Sequence, residues 1–228
     1  MLTVEGLQAG YGSASVLFGV DLTIGAGEIS ALLGRNGMGK TTSVRAITGQ
    51  IPVRAGVVRL DQRPLEGLPA HKIARAGIGL VPEGRQIFRT LSVEENLLAT
   101  ARPGPWSLRR IQDLFPVLAE RRRAFGHQLS GGEQQMLAIS RALMTNPKLL
   151  IMDEATEGLA PLLRQRIWEV VGILKAEGQA ILLIDPDLEA VLRVTDRWRV
   201  LEKGRVVLES RGQPTMADKR ELRRRLSV

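Results

Sequence analysis

The sequence predicts an α/β fold in which a mostly parallel sheet carries a phosphate-binding loop, with an antiparallel β subdomain before it and a helical subdomain inserted into it. Three observations lead there. Apolar strand-like runs alternate with helical stretches over residues 28–210, the order that crossover helices between parallel strands produce. The stretch Gly34-Arg35-Asn36-Gly37-Met38-Gly39-Lys40-Thr41 fits G-x-x-x-x-G-K-[ST] at every fixed position and sits between an apolar run and a helical one. Over residues 86–144 strand signals fade and helical periodicity takes over. One domain is expected over residues 1–228, with a core of residues 1–85 and 145–228 and a helical subdomain of residues 86–144.

Residues 2–33 hold short strands broken at Gly25-Ala26-Gly27, and the last of them, Ile29-Ser30-Ala31-Leu32-Leu33, feeds the loop. A helix follows to about Gly49, then a hairpin-like piece at residues 55–61 and a strand at residues 78–81 that ends in Pro82-Glu83-Gly84. Helices are expected at residues 93–101, 108–118 and 133–144, the first two parted by Pro103-Gly104-Pro105. The core resumes at Lys148-Leu149-Leu150-Ile151-Met152-Asp153-Glu154, a buried strand ending in two carboxylates. A helix at residues 162–177 and a strand at 179–184 come next. The helix at residues 187–194 is assigned Asp185 as N-cap and Pro186 as first helical residue. Strands at residues 198–201 and 206–209 close the core.

Composition narrows the function. The 228 residues are 44% hydrophobic, ordinary for one large globular domain. With no cysteine, a disulfide scaffold and a thiolate metal site are excluded. Met1-Leu2-Thr3-Val4-Glu5 lacks the charged-then-apolar pattern of a signal peptide, and no apolar run nears the roughly 18 residues a membrane span needs. A soluble, cytoplasmic chain is expected. The net charge of +8 favours polyanions, with clusters at Arg121-Arg122-Arg123, Lys219-Arg220 and Arg223-Arg224-Arg225. Aromatic residues are only 4% and do not form a base-stacking ladder, so these clusters are assigned to solvated surface and no nucleic acid is expected as partner.

The motifs carry phosphate chemistry. Glycines let the loop turn its N–H groups onto a phosphate. Lys40 adds a point charge on the β- and γ-phosphates, and Thr41 a hydroxyl ligand for Mg²⁺. A helix starting near Lys40 points its positive end at the same anion, so residues 34–42, including Thr42, form the phosphate-binding set. Asp153 and Glu154 stand at the carboxyl end of a buried strand, where parallel sheets bind ligands. Asp153 is placed to hold Mg²⁺, and Glu154 to orient or deprotonate an attacking water. Tyr11, in Ala9-Gly10-Tyr11-Gly12, is the only tyrosine; its ring either stacks on a base or is ordinarily half-buried.

Between the helical segment and the acidic strand lies Leu129-Ser130-Gly131-Gly132-Glu133-Gln134-Gln135, which resembles the signature sequence of ATP-binding-cassette ATPases. With the phosphate loop before it and Asp153-Glu154 after it, the resemblance spans almost the whole chain. It implies a P-loop NTPase core that binds and hydrolyses ATP with Mg²⁺. Ser130, Gly131 and Gly132 would start a helix with free N–H groups and an outward hydroxyl, a second anion site. In this family that site, with Glu133, faces the ATP of a second subunit in a head-to-tail dimer, and Tyr11 stacks on adenine. Val81-Pro82-Glu83-Gly84-Arg85 and Glu157-Gly158-Leu159-Ala160-Pro161 further resemble branched-chain amino acid importer ATPases, with urea and short-chain amide importers close by. Such subunits pair, identical or not, beneath two membrane permeases at the cytoplasmic face, and an extracytoplasmic solute-binding protein delivers the solute. Residues 83–96 match the region that touches the permease.

Three positions depart from the wider family. Glu83 replaces a glutamine that reaches Mg²⁺ and water; a carboxylate can ligate the ion but, when ionised, cannot donate. Ala160 replaces an aspartate. Pro186 stands where most relatives have a histidine on the γ-phosphate, and His71 and His127 lie elsewhere. Slower hydrolysis than in a histidine-bearing relative is expected. Two competing readings are a nucleotide-gated module acting on nucleic acid or the ribosome, and a subunit that binds ATP without cleaving it. A single cassette without a coiled-coil insertion argues against the first, and Glu154 against the second.

Overall fold

The structure, a computed structural model, describes residues 1–212 and 214–226. In chain order it contains β1 (Leu2–Tyr11), β2 (Ala14–Ile24), β3 (Ile29–Leu33), α1 (Lys40–Ile47), β4 (Val53–Leu60), β5 (Arg63–Pro64), α2 (Ala70–Ala76) and β6 (Ile78–Val81). The helices α3 (Val93–Leu98), α4 (Leu108–Leu114), α5 (Pro116–Glu120) and α6 (Gly131–Met144) follow. The chain then runs through β7 (Leu149–Asp153), α7 (Pro161–Ala176), β8 (Ala180–Ile184), α8 (Leu188–Val194), β9 (Arg197–Glu202), β10 (Arg205–Arg211) and α9 (Met216–Leu226). One sheet has the order β2-β1-β4-β5 and is antiparallel. The other has the order β10-β9-β3-β8-β7-β6 and is parallel except for its edge strand β10.

Every residue of β3, β7 and β8 is buried, as expected of parallel strands covered on both faces. Strand alternation then sorts the side chains. Leu149 and Ile151 of β7 join the core shared with α1, β1, β2 and β4, whereas Leu150 and Met152 join the core beneath α6 and α7. Asp153, one step further, falls on the α1 side. A third cluster holds Ala31, Leu33, Leu188, Val191, Trp198 and Leu222, and so packs α8 and α9 on the β3–β9 end of the sheet. Arg197 and Arg199 of β9 alternate with Trp198 and so are buried on the opposite face, against Thr23 of β2 and Glu209 of β10. Among the described residues no helix is long and apolar enough to cross a membrane.

Four details correct the sequence reading. The helix expected at residues 108–118 is two, because Pro116 disfavours helical geometry at Phe115, which lies at φ −131° and ψ 80°. The helix expected to continue to residue 101 stops at Leu98. Two helices, α2 and α9, were not anticipated; α9 buries only Leu222 among its many basic residues. Finally, Asp187, not Asp185, caps α8: its carboxylate accepts the Ala190 N–H at 3.1 Å, and Pro186 stays outside the helix. Asp185 is engaged elsewhere, accepting the Thr156 hydroxyl at 2.7 Å and its N–H at 3.0 Å.

Candidate functional site

The loop after β3 curls round the Lys40 ammonium. Nζ donates to the carbonyl oxygens of Gly34 (2.9 Å) and Arg35 (3.2 Å). Gly39 is the N-cap of α1 and offers no side-chain acceptor, so the first amides of the helix stay open to an anion. Gly34 is required by its surroundings: a Cβ there would lie 2.5 Å from the Leu201 carbonyl oxygen. Met38 fastens the loop to the β9–β10 turn by accepting the Gly204 N–H at 3.0 Å. Arg35, Asn36 and Gly37 form its exposed rim, while Thr41 and Thr42 lie on the first turn of α1.

The carboxyl end of β7 brings the acids to this loop. Asp153 is 2% exposed and its Oδ1 has no hydrogen-bond partner. Burial, reinforced by the Glu83 charge, pushes its carboxyl up from 3.8 to about 6, against the pull of Lys40 and the Thr41 hydroxyl. A buried, unpartnered carboxylate oxygen beside a hydroxyl suits a hard divalent cation, so these residues fit Mg²⁺. Glu154 takes a left-handed backbone, φ 54°, held by its N–H donating to Ile184 at 2.6 Å. Its carboxylate lies 3.9 Å from Lys40 Nζ. Burial first, then a shared proton with Glu157, pushes the Glu154 carboxyl up to about 7 against the opposing Lys40 charge.

Glu83, Glu154 and Glu157 bring carboxylate oxygens within 4.8 Å of one another, in a cleft with Asn36, Lys40 and Thr41. Glu157 had been given no role from the sequence; its position in the motif after the acidic strand was the only signal. Pro186 lines the adjoining side of the cleft with Lys40, Glu154 and Leu226 of α9. His127 instead binds the Arg89 carbonyl at 3.0 Å and stacks on Phe125, and His71 lies on the exposed face of α2. Tyr11 is 42% exposed at the end of β1, and its hydroxyl accepts from Arg45 Nη1 at 3.0 Å.

The second motif stands apart from these groups, at the start of α6. Ser130 is its N-cap in a reciprocal capping box: Ser130 Oγ accepts the Glu133 N–H at 3.3 Å, and the Ser130 N–H donates to Glu133 Oε2 at 2.7 Å. The expected free hydroxyl is therefore an acceptor within the cap, with only its proton left to offer. Gly132 is enforced by packing, since a Cβ would meet Leu163 Cδ1 at 2.1 Å.

The chain is similar to known proteins along most of its length. The ABC transporter family matches residues 17–157. The high-affinity branched-chain amino acid transport ATP-binding protein BraG of Pseudomonas aeruginosa is 40% identical over 220 residues, 93% of each chain. The lipopolysaccharide export system ATP-binding protein LptB of Escherichia coli K12 is 35% identical over 221 residues, 94% of this chain and 91% of that one. Among solved structures, a nucleotide-free ATP-binding cassette from an ABC transporter superposes with a TM-score of 0.81 at 27% identity, covering 97% of this chain and 94% of its own.

Proposed function

The chain belongs to the ABC transporter family, as an ATP-binding, ATP-hydrolysing subunit, and from that premise we propose that it energises the import of branched-chain amino acids or related small solutes such as urea and short-chain amides. One observation supports the solute class: the branched-chain amino acid transport protein is matched at 40% identity over 93% of both chains. The solute itself never meets this subunit.

In this reading the loop of residues 34–42 wraps the triphosphate. Lys40 exchanges its loop carbonyls for β- and γ-phosphate oxygens, an interaction its burial strengthens. Thr41, Asp153 and Glu83 hold Mg²⁺, which when bound neutralises charge on the phosphates. Glu154 takes the proton of the attacking water, and a carboxyl poised near neutrality suits a general base. Tyr11 offers its exposed face to adenine. Ser130, Gly131, Gly132 and Glu133 complete the site of a second ATPase subunit, because the capped start of α6 in one chain does not share the cleft that holds Lys40.

The proposed partners are membrane permeases above the subunit at the cytoplasmic face, with an extracytoplasmic solute-binding protein touching only the permeases. A groove of about 340 Å³ between α2, β6 and α6 supports this docking; Ile73, Leu80, Pro82, Gln86, Ala138 and Ala142 line it. Phe88, 43% exposed beneath the Arg141 guanidinium, belongs to the same stretch of residues 83–96. Expressed with its membrane partners, the chain is expected to co-purify with permease subunits and to drive ATP-dependent leucine uptake that Lys40→Ala abolishes. Uptake that survives Lys40→Ala refutes the proposal.

A further inference from the structure

Glu154 keeps its left-handed backbone, φ 54°, between two anchors at the end of β8. For a residue with a side chain this conformation persists only where the surroundings enforce it. The first anchor is its own N–H, which donates to the Ile184 carbonyl at 2.6 Å. The second lies two residues on, where Thr156 meets Asp185. The Thr156 N–H donates to Asp185 Oδ2 at 3.0 Å, and its hydroxyl donates into the fork of the two oxygens, 2.7 Å from Oδ1 and 2.8 Å from Oδ2. Asp185 Oδ1 also accepts the Asp187 N–H at 3.1 Å, across Pro186. One carboxylate thus joins the segment after β7, the end of β8 and the start of α8.

An acid is an expensive choice for such a joint. Asp185 and Thr156 are both buried. Burial pushes the Asp185 carboxyl up, against the pull of its donors. Both oxygens are nevertheless used as acceptors. Oδ2 takes the Thr156 N–H and Oδ1 the Asp187 N–H, so an asparagine would turn its NH₂ against one of them. The joint also lies at the cleft: Asp185 lines it with Lys40, Glu154 and Pro186.

We propose that Asp185 and Thr156 are positioning residues for Glu154, fixing the chain just beyond it so that its carboxylate stays aimed into the cleft. The inference rests on the reading of Glu154 as general base and adds the pair that aims it. Pro186 offers no side-chain donor there, so hydrolysis depends all the more on where Glu154 points.

The test measures phosphate release from Mg-ATP by the full chain, as kcat and KM, for the parent, Thr156→Val, Thr156→Ser and Asp185→Asn. Valine keeps the shape of threonine and removes the hydroxyl; serine keeps the hydroxyl. Thr156→Val and Asp185→Asn are each expected to lower kcat by about tenfold or more while KM changes by less than about twofold, and Thr156→Ser to stay within about threefold of the parent. In a Glu154→Gln background the same changes are expected to cost little further, because an absent base cannot be misaimed. A parental kcat in Thr156→Val, a loss confined to KM, or a serine variant no better than the valine one overturns the proposal. So does an equal proportional loss in the Glu154→Gln background, since the pair would then act on something other than Glu154. If neither Thr156→Val nor Asp185→Asn folds by circular dichroism, the pair carries the fold rather than the base, and the proposal is likewise overturned. If Glu154→Gln alone turns over as fast as the parent, the reading of Glu154 as base fails and this role fails with it.

Discussion

Replacing Asp153 by asparagine should stabilise the empty protein while disabling it. Asp153 is almost wholly buried, one of its oxygens has no partner, and its carboxyl is pushed up from 3.8 to about 6, chiefly by burial. An acid that holds its proton more tightly when folded than when unfolded lowers stability as pH rises between those two values; above the higher value the loss is complete and constant. From 3.8 to about 6, at roughly 1.4 kcal/mol per pH unit, that loss is about 3 kcal/mol. Asp153→Asn removes it and keeps the shape, but leaves a buried amide imperfectly bonded, which returns about 1 kcal/mol. The net gain at pH 7.5 is about 2 kcal/mol, or about 4–8 °C in Tm for a chain of this size. The assay is thermal unfolding by circular dichroism in EDTA without nucleotide, parent and variant side by side, at pH 5 and pH 7.5. The neighbouring Glu154 titrates in both proteins, and because the Asp153 charge helps to raise its carboxyl, the variant also relieves Glu154 and adds to the same gain. The loss in the parent is already about 1.6 kcal/mol at pH 5, so the advantage is expected to shrink there to about 0.6 kcal/mol, under a third of its size at pH 7.5. A variant less stable than the parent at pH 7.5, or a difference independent of pH, would show that the buried carboxylate carries no such strain.

Further outcomes follow from other contacts. Glu154→Gln should cut steady-state phosphate release by about 10²–10⁴ while nucleotide still binds, and parental turnover should fall as pH drops below about 7, where Glu154 becomes protonated; a loss under tenfold would exclude it as the base. Pro186→His, or Pro186→Gln, puts a donor into the cleft beside Lys40 and Glu154 and should raise turnover in the assembled transporter; an unchanged or lower rate counts against the idea that this position limits hydrolysis. Glu209→Gln removes the carboxylate 2.9 Å from the buried Arg199 and 3.3 Å from Arg197. Uncompensated buried charge should cost about 3 kcal/mol in urea unfolding, and a change below about 1 kcal/mol would mean Glu28 and Thr23 suffice as partners.

What could be read without the fold was local. The phosphate loop is one run of residues whose glycines, lysine and threonine are each tied to a neighbour a few positions away, so the pattern and its chemistry travel together. β3 and β7 were legible because strands buried on both faces are apolar throughout. The start of α6 was only partly legible: periodicity placed the helix at residues 133–144, whereas it begins at Gly131 with Ser130 and Glu133 capping each other. Family resemblance worked through the same short motifs.

The remainder was decided by contacts between residues far apart along the chain. The Asp185 carboxylate had the spacing of an N-cap, but Thr156, on the segment after β7, takes it, and Asp187 caps α8 instead. Helix α9 hides a single buried leucine among arginines and is held by Arg223 to Glu189 and Arg225 to Glu202, pairs no periodicity reveals. Glu157 was visible as a letter in a motif, yet its meaning came from placement against Glu83 and Glu154. Sequence alone determined which short motifs this chain carries and in what order. Only the packed sheet and helices decided which of them share a cleft and what each costs to bury, because electric fields and excluded volume act through space rather than along the chain.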